Sequence, residues 1–479
     1  MRRFFLVLTQ LSWLAAAPHD PRDYGAKGDG VTSDTAAVQA AMDAAEKQGG
    51  GTVSLSPGRY LCGTIRLKSN VTLDLSAGAT LIMSADEAGF DAYEKLAYDS
   101  FADRETTYFH YALLAGDNVH NVAITGEGAI DGHRAKRGGP KPIALKNSLQ
   151  IAIRGITIRN APNYAISFLG CDYVDVDGVT ILDALSDGID PDCSRFVRIR
   201  NCFVDSLDDA ICLKTSLALG ERRPTEQVTV TNCVLRSSRN TLKLGTESSG
   251  DFRNIAFSNC TLSPSPAVGR AMGALTIASV DGAAIDGLVA SNLVIRGIGT
   301  PIFIRLGNRG RGQKTPTPGS LENVSISNVV ATGAVRTCSI AGLPGFPVKR
   351  VSLDNINITM KGGEQAVRGL DVPENPAGYP QATVFGPTLP AYGFYCRHAE
   401  SLTLRNVRVG LEAPDVRPAL IGDDIRGLDL DGFKADLPAG GEPVVWLNRV
   451  RDRLLGGRSP TVPAERFLRV TGSSGRPPA

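Results

Sequence analysis

The sequence predicts an all-β chain wound as a right-handed, single-stranded parallel β-helix with an N-terminal capping helix. Three observations carry this expectation. A nine-residue pattern recurs ten times, its fifth place is always Asn or Gly, and Gly is abundant at 52 of 479 residues while aromatics make up only 6%. Such a composition suits a core of stacked Val, Ile and Leu. Repeats that cannot bury themselves alone stack into a solenoid.

The leader "MRRFFLVLTQLSWLAAAPHD" has two arginines, a short apolar run and Ala15-Ala16-Ala17 as a small-residue cleavage site. It reads as a signal peptide over residues 1–17, since the run is too short to span a bilayer. Residues 18–479 then form one β-helix domain, secreted or periplasmic. Without Arg2 and Arg3, 49 basic residues face 49 acidic ones. No basic stripe points to nucleic acid, and no later segment is apolar enough to span a membrane.

Next comes "SDTAAVQAAMDAAEKQGGG" (33–51), with Ser33 or Asp34 as N-cap, an Ala-rich body and a glycine stop. This is the expected helical lid on the solenoid. The ten repeats begin at 151, 174, 197, 228, 255, 288, 324, 351, 402 and 428, from "IAIRGITIR" to "LDLDGFKAD". Places one, three, six and eight are apolar. Alternation at one and three buries one strand face, and the parity then switches. A left-handed residue at place five resets it, and Gly and Asn tolerate that conformation. Each copy is thus two short strands meeting at a corner.

Nine cysteines in an exported chain raise the question of disulfides. Yet Cys202, Cys233 and Cys260 fill the sixth, apolar place of three copies, so buried thiols are expected instead. No Cys or His spacing suits a metal. Segments 84–113 and 371–391 break the repeat and are expected to wall a groove. The tail after Ala435 looks irregular, and beyond about residue 455 poorly ordered.

The third strand of each rung aligns as "YAISFLG" (164–170), "DGIDPDC" (187–193), "DAICLKT" (209–215) and "NTLKLGT" (240–246). With Ile166, Ile189, Ile211 and Leu242 stacked inward, Tyr164, Asp187, Asp209 and Asn240 share a column, one rung of about 4.8 Å apart. Asp208 immediately precedes Asp209. Stacked like charges are destabilising, which favours an acid–base site, although Asp before Gly is also ordinary turn chemistry. Two carboxyl groups in opposite protonation states are what glycoside hydrolysis requires.

At these residues the sequence resembles the family 28 glycoside hydrolases, which include polygalacturonases and rhamnogalacturonan hydrolases. The resemblance runs from "DYGAKGDGVTSDTAAVQAAMDAA" through "ITGEGAIDG" to "SDGIDP" and "DDAICLKT". It implies inverting hydrolysis of α-linked pectic polysaccharide or oligosaccharide without metal or other cofactor. By the same resemblance Asp208 is the general acid, while Asp187 and Asp209 hold and activate the water. The family's Gly-His-Gly reads Arg239-Asn240-Thr241 here, and its Arg-Ile-Lys reads Leu275-Thr276-Ile277. Asn240, Lys214, Lys243 and Arg305 are therefore the expected substrate contacts, with "NRGRGQK" (308–314) as a nearby basic loop. Two other readings stay open: a β-helix polysaccharide lyase, whose aspartates bind Ca²⁺, and a non-catalytic carbohydrate-binding solenoid.

Overall fold

The computed structural model describes residues 17–133, 136–366, 369–457 and 463–472. Most of the predicted leader therefore lies outside the described residues. Strands of successive coils stack in parallel along one continuous ladder. The first places of all ten repeats fall in one column, from Ile151–Val174 and Val174–Val197 through to Leu402–Leu428. Their apolar residues fill a single core running the length of the helix.

All ten fifth-place residues are left-handed, with φ from 49° at Asn406 to 75° at Gly155. Asparagine does more there than tolerate the bend. Asn292 donates to Asn259, Asn328 to Asn292, Asn355 to Asn328 and Asn406 to Asn355, at 2.8–3.1 Å. The side-chain amides thus form a ladder parallel to the backbone ladder, supplying partners that a glycine there would lack.

A second bend was not anticipated. The residue just before each copy is also left-handed: Gln150, Tyr173, Phe196, Gln227, Asn254, Gly287, Asn323, Arg350, Ser401 and Gly427. A bulky residue pays a steric cost there, and Tyr173 and Phe196 offset part of it by stacking, with ring centroids 4.7 Å apart. All nine cysteines are buried and none is in a disulfide.

The lid is present as helix α1, Thr35–Lys47, burying Val38, Ala41, Met42 and Ala45 against the end of the solenoid. Asp34 precedes it, but its carboxylate turns back to accept from the Lys27 and Gly28 amides at 2.6 and 3.0 Å. The expectation of an irregular tail after Ala435 is corrected. Val445–Gly456 adds another strand in parallel to Leu420–Asp431, and Leu468–Thr471 pairs beyond it. Alternation such as "VVWLNRV" continues the inward pattern without an Asn-Gly corner to announce it. Residues 458–462 and 473–479 lie outside the described ones. No described helix is long and apolar enough to cross a membrane.

Both segments expected to wall a groove lie over the third-strand face. In 84–113, the Glu94 carboxylate accepts from the Phe109 amide at 2.9 Å and the His110 amide at 3.2 Å, and Tyr98 Oη donates to the Ala218 carbonyl at 2.9 Å. In 371–391, the Asn375, Val372 and Pro373 carbonyls accept from Arg305 and Arg397.

Candidate active site

The strand alignment is borne out residue by residue: Ile166 pairs with Ile189, Ile189 with Ile211, and Ile211 with Leu242. This register brings Asp187, Asp208 and Asp209 together, with one carboxylate oxygen of each within 4.8 Å of the others. Asp187 Oδ1 accepts from the Asp209 amide at 3.0 Å, so backbone and side chain of consecutive coils are tied.

Each carboxylate has a different environment. Lys214 Nζ donates to Asp187 Oδ2 at 2.9 Å and to Asp190 Oδ2 at 2.5 Å. Lys243 Nζ donates to Asp209 Oδ2 at 2.6 Å, while the Asn240 amide and Nδ2 donate to Asp209 Oδ1 at 3.0 and 2.6 Å. Thr276 Oγ1 in turn donates to Asn240 Oδ1 at 2.8 Å, fixing the orientation of that amide. Asp208 instead turns outward, where Arg137 donates to its Oδ2 at 2.5 Å and also lies 3.6 Å from Glu105.

The protonation states follow from these contacts. Burial together with the charges of Asp187 and Asp209 pushes Asp208 up to about 7, against the pull of Arg137. Burial also acts to raise Asp187, but the Lys214 and Lys243 ammonium groups outweigh it and hold this carboxyl below its usual range. Asp190, although only 2.5 Å from Lys214, is pushed well up by burial and by Asp187. One ammonium serves two buried carboxyls, so burial beside a like charge favours the protonated form of Asp190. Asp190 Oδ1 has no hydrogen-bond partner, which a buried carboxylate anion would tolerate poorly.

The expected substrate contacts are placed differently. Lys214, Lys243 and Asn240 are buried and bonded to the aspartates. Their ammonium and amide groups hold the carboxylates in place. Arg305 is fully buried beneath the 371–391 segment, donating to the Asn375 carbonyl at 2.5 Å over the Phe385 ring, away from the aspartates. Within the basic loop, Arg309 is bound to Asp281 and Arg311 to Glu247.

Sequence reasoning missed Arg137, Glu105 and Lys141. Lys141 is buried, with Nζ 3.7 Å above the Phe109 ring and 5.4 Å from Tyr164, and burial pulls it down to about 7. Its position was recoverable, because Ile143 pairs with Ile166 and so sets Lys141 in the Tyr164–Asp187 column. Arg137 lies on a loop and Glu105 in the short helix Arg104–Thr107, neither with such a register. Among the described residues, both triads able to hold a cation, Asp187-Asp208-Asp209 and Asp187-Asp190-Cys212, include a carboxylate already served by Lys214.

Known proteins resemble this chain across most of its length. A probable polygalacturonase of Vitis vinifera is 26% identical over 377 residues, which are 70% of this chain and 73% of that protein. An exo-poly-alpha-D-galacturonosidase of Dickeya chrysanthemi is 24% identical over 387 residues, 67% of this chain and 63% of the relative. A solved structure of a hyperthermoactive exopolygalacturonase from Thermotoga maritima shares the fold, with a TM-score of 0.56 and 20% identity over 81% of this chain and 92% of that one. The family model for glycosyl hydrolases family 28 matches residues 64–376. With its three aspartates gathered on consecutive coils, the chain belongs to family 28 of the glycosyl hydrolases.

Proposed function

We propose that the protein is an inverting hydrolase of α-glycosidic bonds in a pectic polysaccharide or oligosaccharide containing galacturonate. Asp208 is the general acid, and Asp187 and Asp209 hold and deprotonate the attacking water. The water oxygen bonds to the anomeric carbon as the glycosidic C–O bond breaks. The Asp208 proton goes to the leaving oxygen, and a water proton passes to the Asp187–Asp209 pair. The observation that carries this reading is one cluster holding opposite charge states, with Asp208 raised to about 7 and Asp187 lowered. The oxygens lie closer than the roughly 6.5–9.5 Å common for inverting carboxyl pairs, so roles are assigned by charge state and the product must decide stereochemistry.

The test is turnover of defined α-1,4-oligogalacturonides, with NMR of the anomer first released. A β-anomer supports inversion, and an α-anomer overturns it. A new ultraviolet-absorbing double bond in the product would replace hydrolysis by elimination. Export belongs to the same proposal, and Edman sequencing of the mature protein should begin near Pro18.

A further inference from the structure

We propose that the cleft is closed at the ends of its strands by a bridge of Phe101, Gly312 and Leu217. Hydrolysis then removes residues from the non-reducing end of an anionic glycan, while the leaving chain passes over an arginine-bearing edge. This rests on the hydrolase reading above and adds the direction from which the substrate is approached.

The walls 84–113 and 371–391 lie on either side of the aspartates along the solenoid axis, so the groove between them runs parallel to the strands. Its two ends differ. Segment 84–113 leads into Ala112–Asp117, three coils before the Asp187 coil. Loop 308–314 follows Ile298–Leu306, three coils after the Asp209 coil. From these opposite roots they converge on Leu217, just past the strand Ile211–Thr215 that Asp209 precedes. Gly312, at φ 72°, packs so closely that a Cβ there would sit 2.3 Å from Leu217 Cδ1 and 3.1 Å from Phe101 Cδ2. Neighbouring contacts hold the bridge. Arg309 Nε donates to Asp281 Oδ1 at 2.9 Å, Arg311 to Glu247 at 3.0 Å, and Tyr98 to the Ala218 carbonyl. Asp281 itself is fully buried, which makes this anchor firm.

The other end, before the strands begin, is the more exposed one and bears arginines, with Asp183 and Glu105 among them. Asp208 lies there with its side chain 22% exposed, against 6% for Asp187 and 3% for Asp209. Half-exposed Arg137 pairs with it, and exposed Arg239 and Arg270 precede the strands Asn240–Ser248 and Ala271–Ser279. A concavity of about 430 Å³ lined by Asn160, Asp183, Leu185, Leu207 and Ala267 adjoins this edge. The general acid protonates the leaving group, so the reducing-side portion lies beside Asp208 on this more exposed edge. Sugar on the far side of the scissile bond meets the bridge. Only a chain with few residues beyond that bond fits.

The experiment uses the full-length protein and Asp208→Asn with α-1,4-oligogalacturonides blocked at one end or the other. Fluorescent labelling at the reducing end should leave binding to Asp208→Asn intact, whereas a bulky group on the terminal O4 at the non-reducing end should weaken it at least tenfold. Binding indifferent to which end is blocked, or no binding of any galacturonide, overturns the proposal. Binding that discriminates as expected without wild-type hydrolysis overturns only the hydrolase reading. With wild type, labelled oligomers should shorten by a fixed small step, and immediate release of labelled short fragments contradicts a closed end. Phe101→Ala with Leu217→Ala should introduce internal cleavage of polygalacturonate, read as viscosity loss per new reducing end. Arg239→Ala and Arg270→Ala should each raise KM for a hexamer by roughly threefold but leave the dimer's little changed. Equal effects on both lengths would remove the arginine edge from the proposal.

Discussion

Replacing Arg137 by Gln should extend activity to higher pH. The guanidinium lies 2.5 Å from Asp208 and favours its ionised form. For a pair at 4 Å with an effective dielectric constant near 20, the attraction is about 4 kcal/mol. With 49% of the arginine side chain exposed, solvent screening brings the net interaction to roughly 0.2–1 kcal/mol. At about 1.4 kcal/mol per pKa unit, the upper end corresponds to roughly 0.7 unit. The acid works protonated, so the rate falls as pH rises through its pKa of about 7. Loss of the cation raises that pKa, and the alkaline limb moves up. The assay is kcat/KM against pH at fixed ionic strength, which reports groups of the free enzyme. A limb that moves down, or does not move while the protein stays folded and active, would refute this account of how the acid is tuned.

Other outcomes follow from the same contacts. Asp208→Asn should lower turnover by about two to four orders of magnitude yet melt higher than wild type at pH 8. The raised carboxyl stabilises the fold below its unfolded pKa and loses that contribution as pH climbs through about 7, while Asn stays neutral; calorimetry at pH 5 and 8 reads the difference. Lys214→Met leaves Asp187 and Asp190 facing each other without a cation. It should cost about 3–5 kcal/mol in urea unfolding and move the acid limb of the rate profile upward, because Asp187 loses the charge that lowers it. Asn328→Ala should destabilise by about 2 kcal/mol through left-handed strain and two lost ladder bonds. Asn328→Gly should cost less, since it keeps the bend and loses only the bonds.

The fold was legible because the corner residues carry their own conformational signature. Asn and Gly at place five are the types that accept φ near 55°, and the structure bends at every one. The second bend was hidden, since Gln150, Tyr173, Phe196 and Arg350 advertise no such preference and are held there by the stacked backbone. The aspartates could be brought together on paper because a β-helix turns strand register into proximity. Lys214, Lys243 and Arg305 lie on the outer side of their strands, away from the core, and are nevertheless buried. Loops inserted far away in sequence cover that face, as the Asn375 carbonyl over Arg305 shows. A one-dimensional pattern carries no information about which loop lands where. Asn240 was read as a contact for sugar, whereas its amide is spent on orienting Asp209.

Between the copies starting at Val351 and Leu402 the chain makes the longest excursion between any two successive copies of the ten, yet the two residues still pair directly. An insertion of that size leaves the strand register of the coils on either side unchanged. The scaffold therefore behaves like a rack whose shelves keep their spacing whatever hangs from them. Specificity in such a molecule can drift by exchange of overhanging segments, with the clustered aspartates and their lysines left untouched.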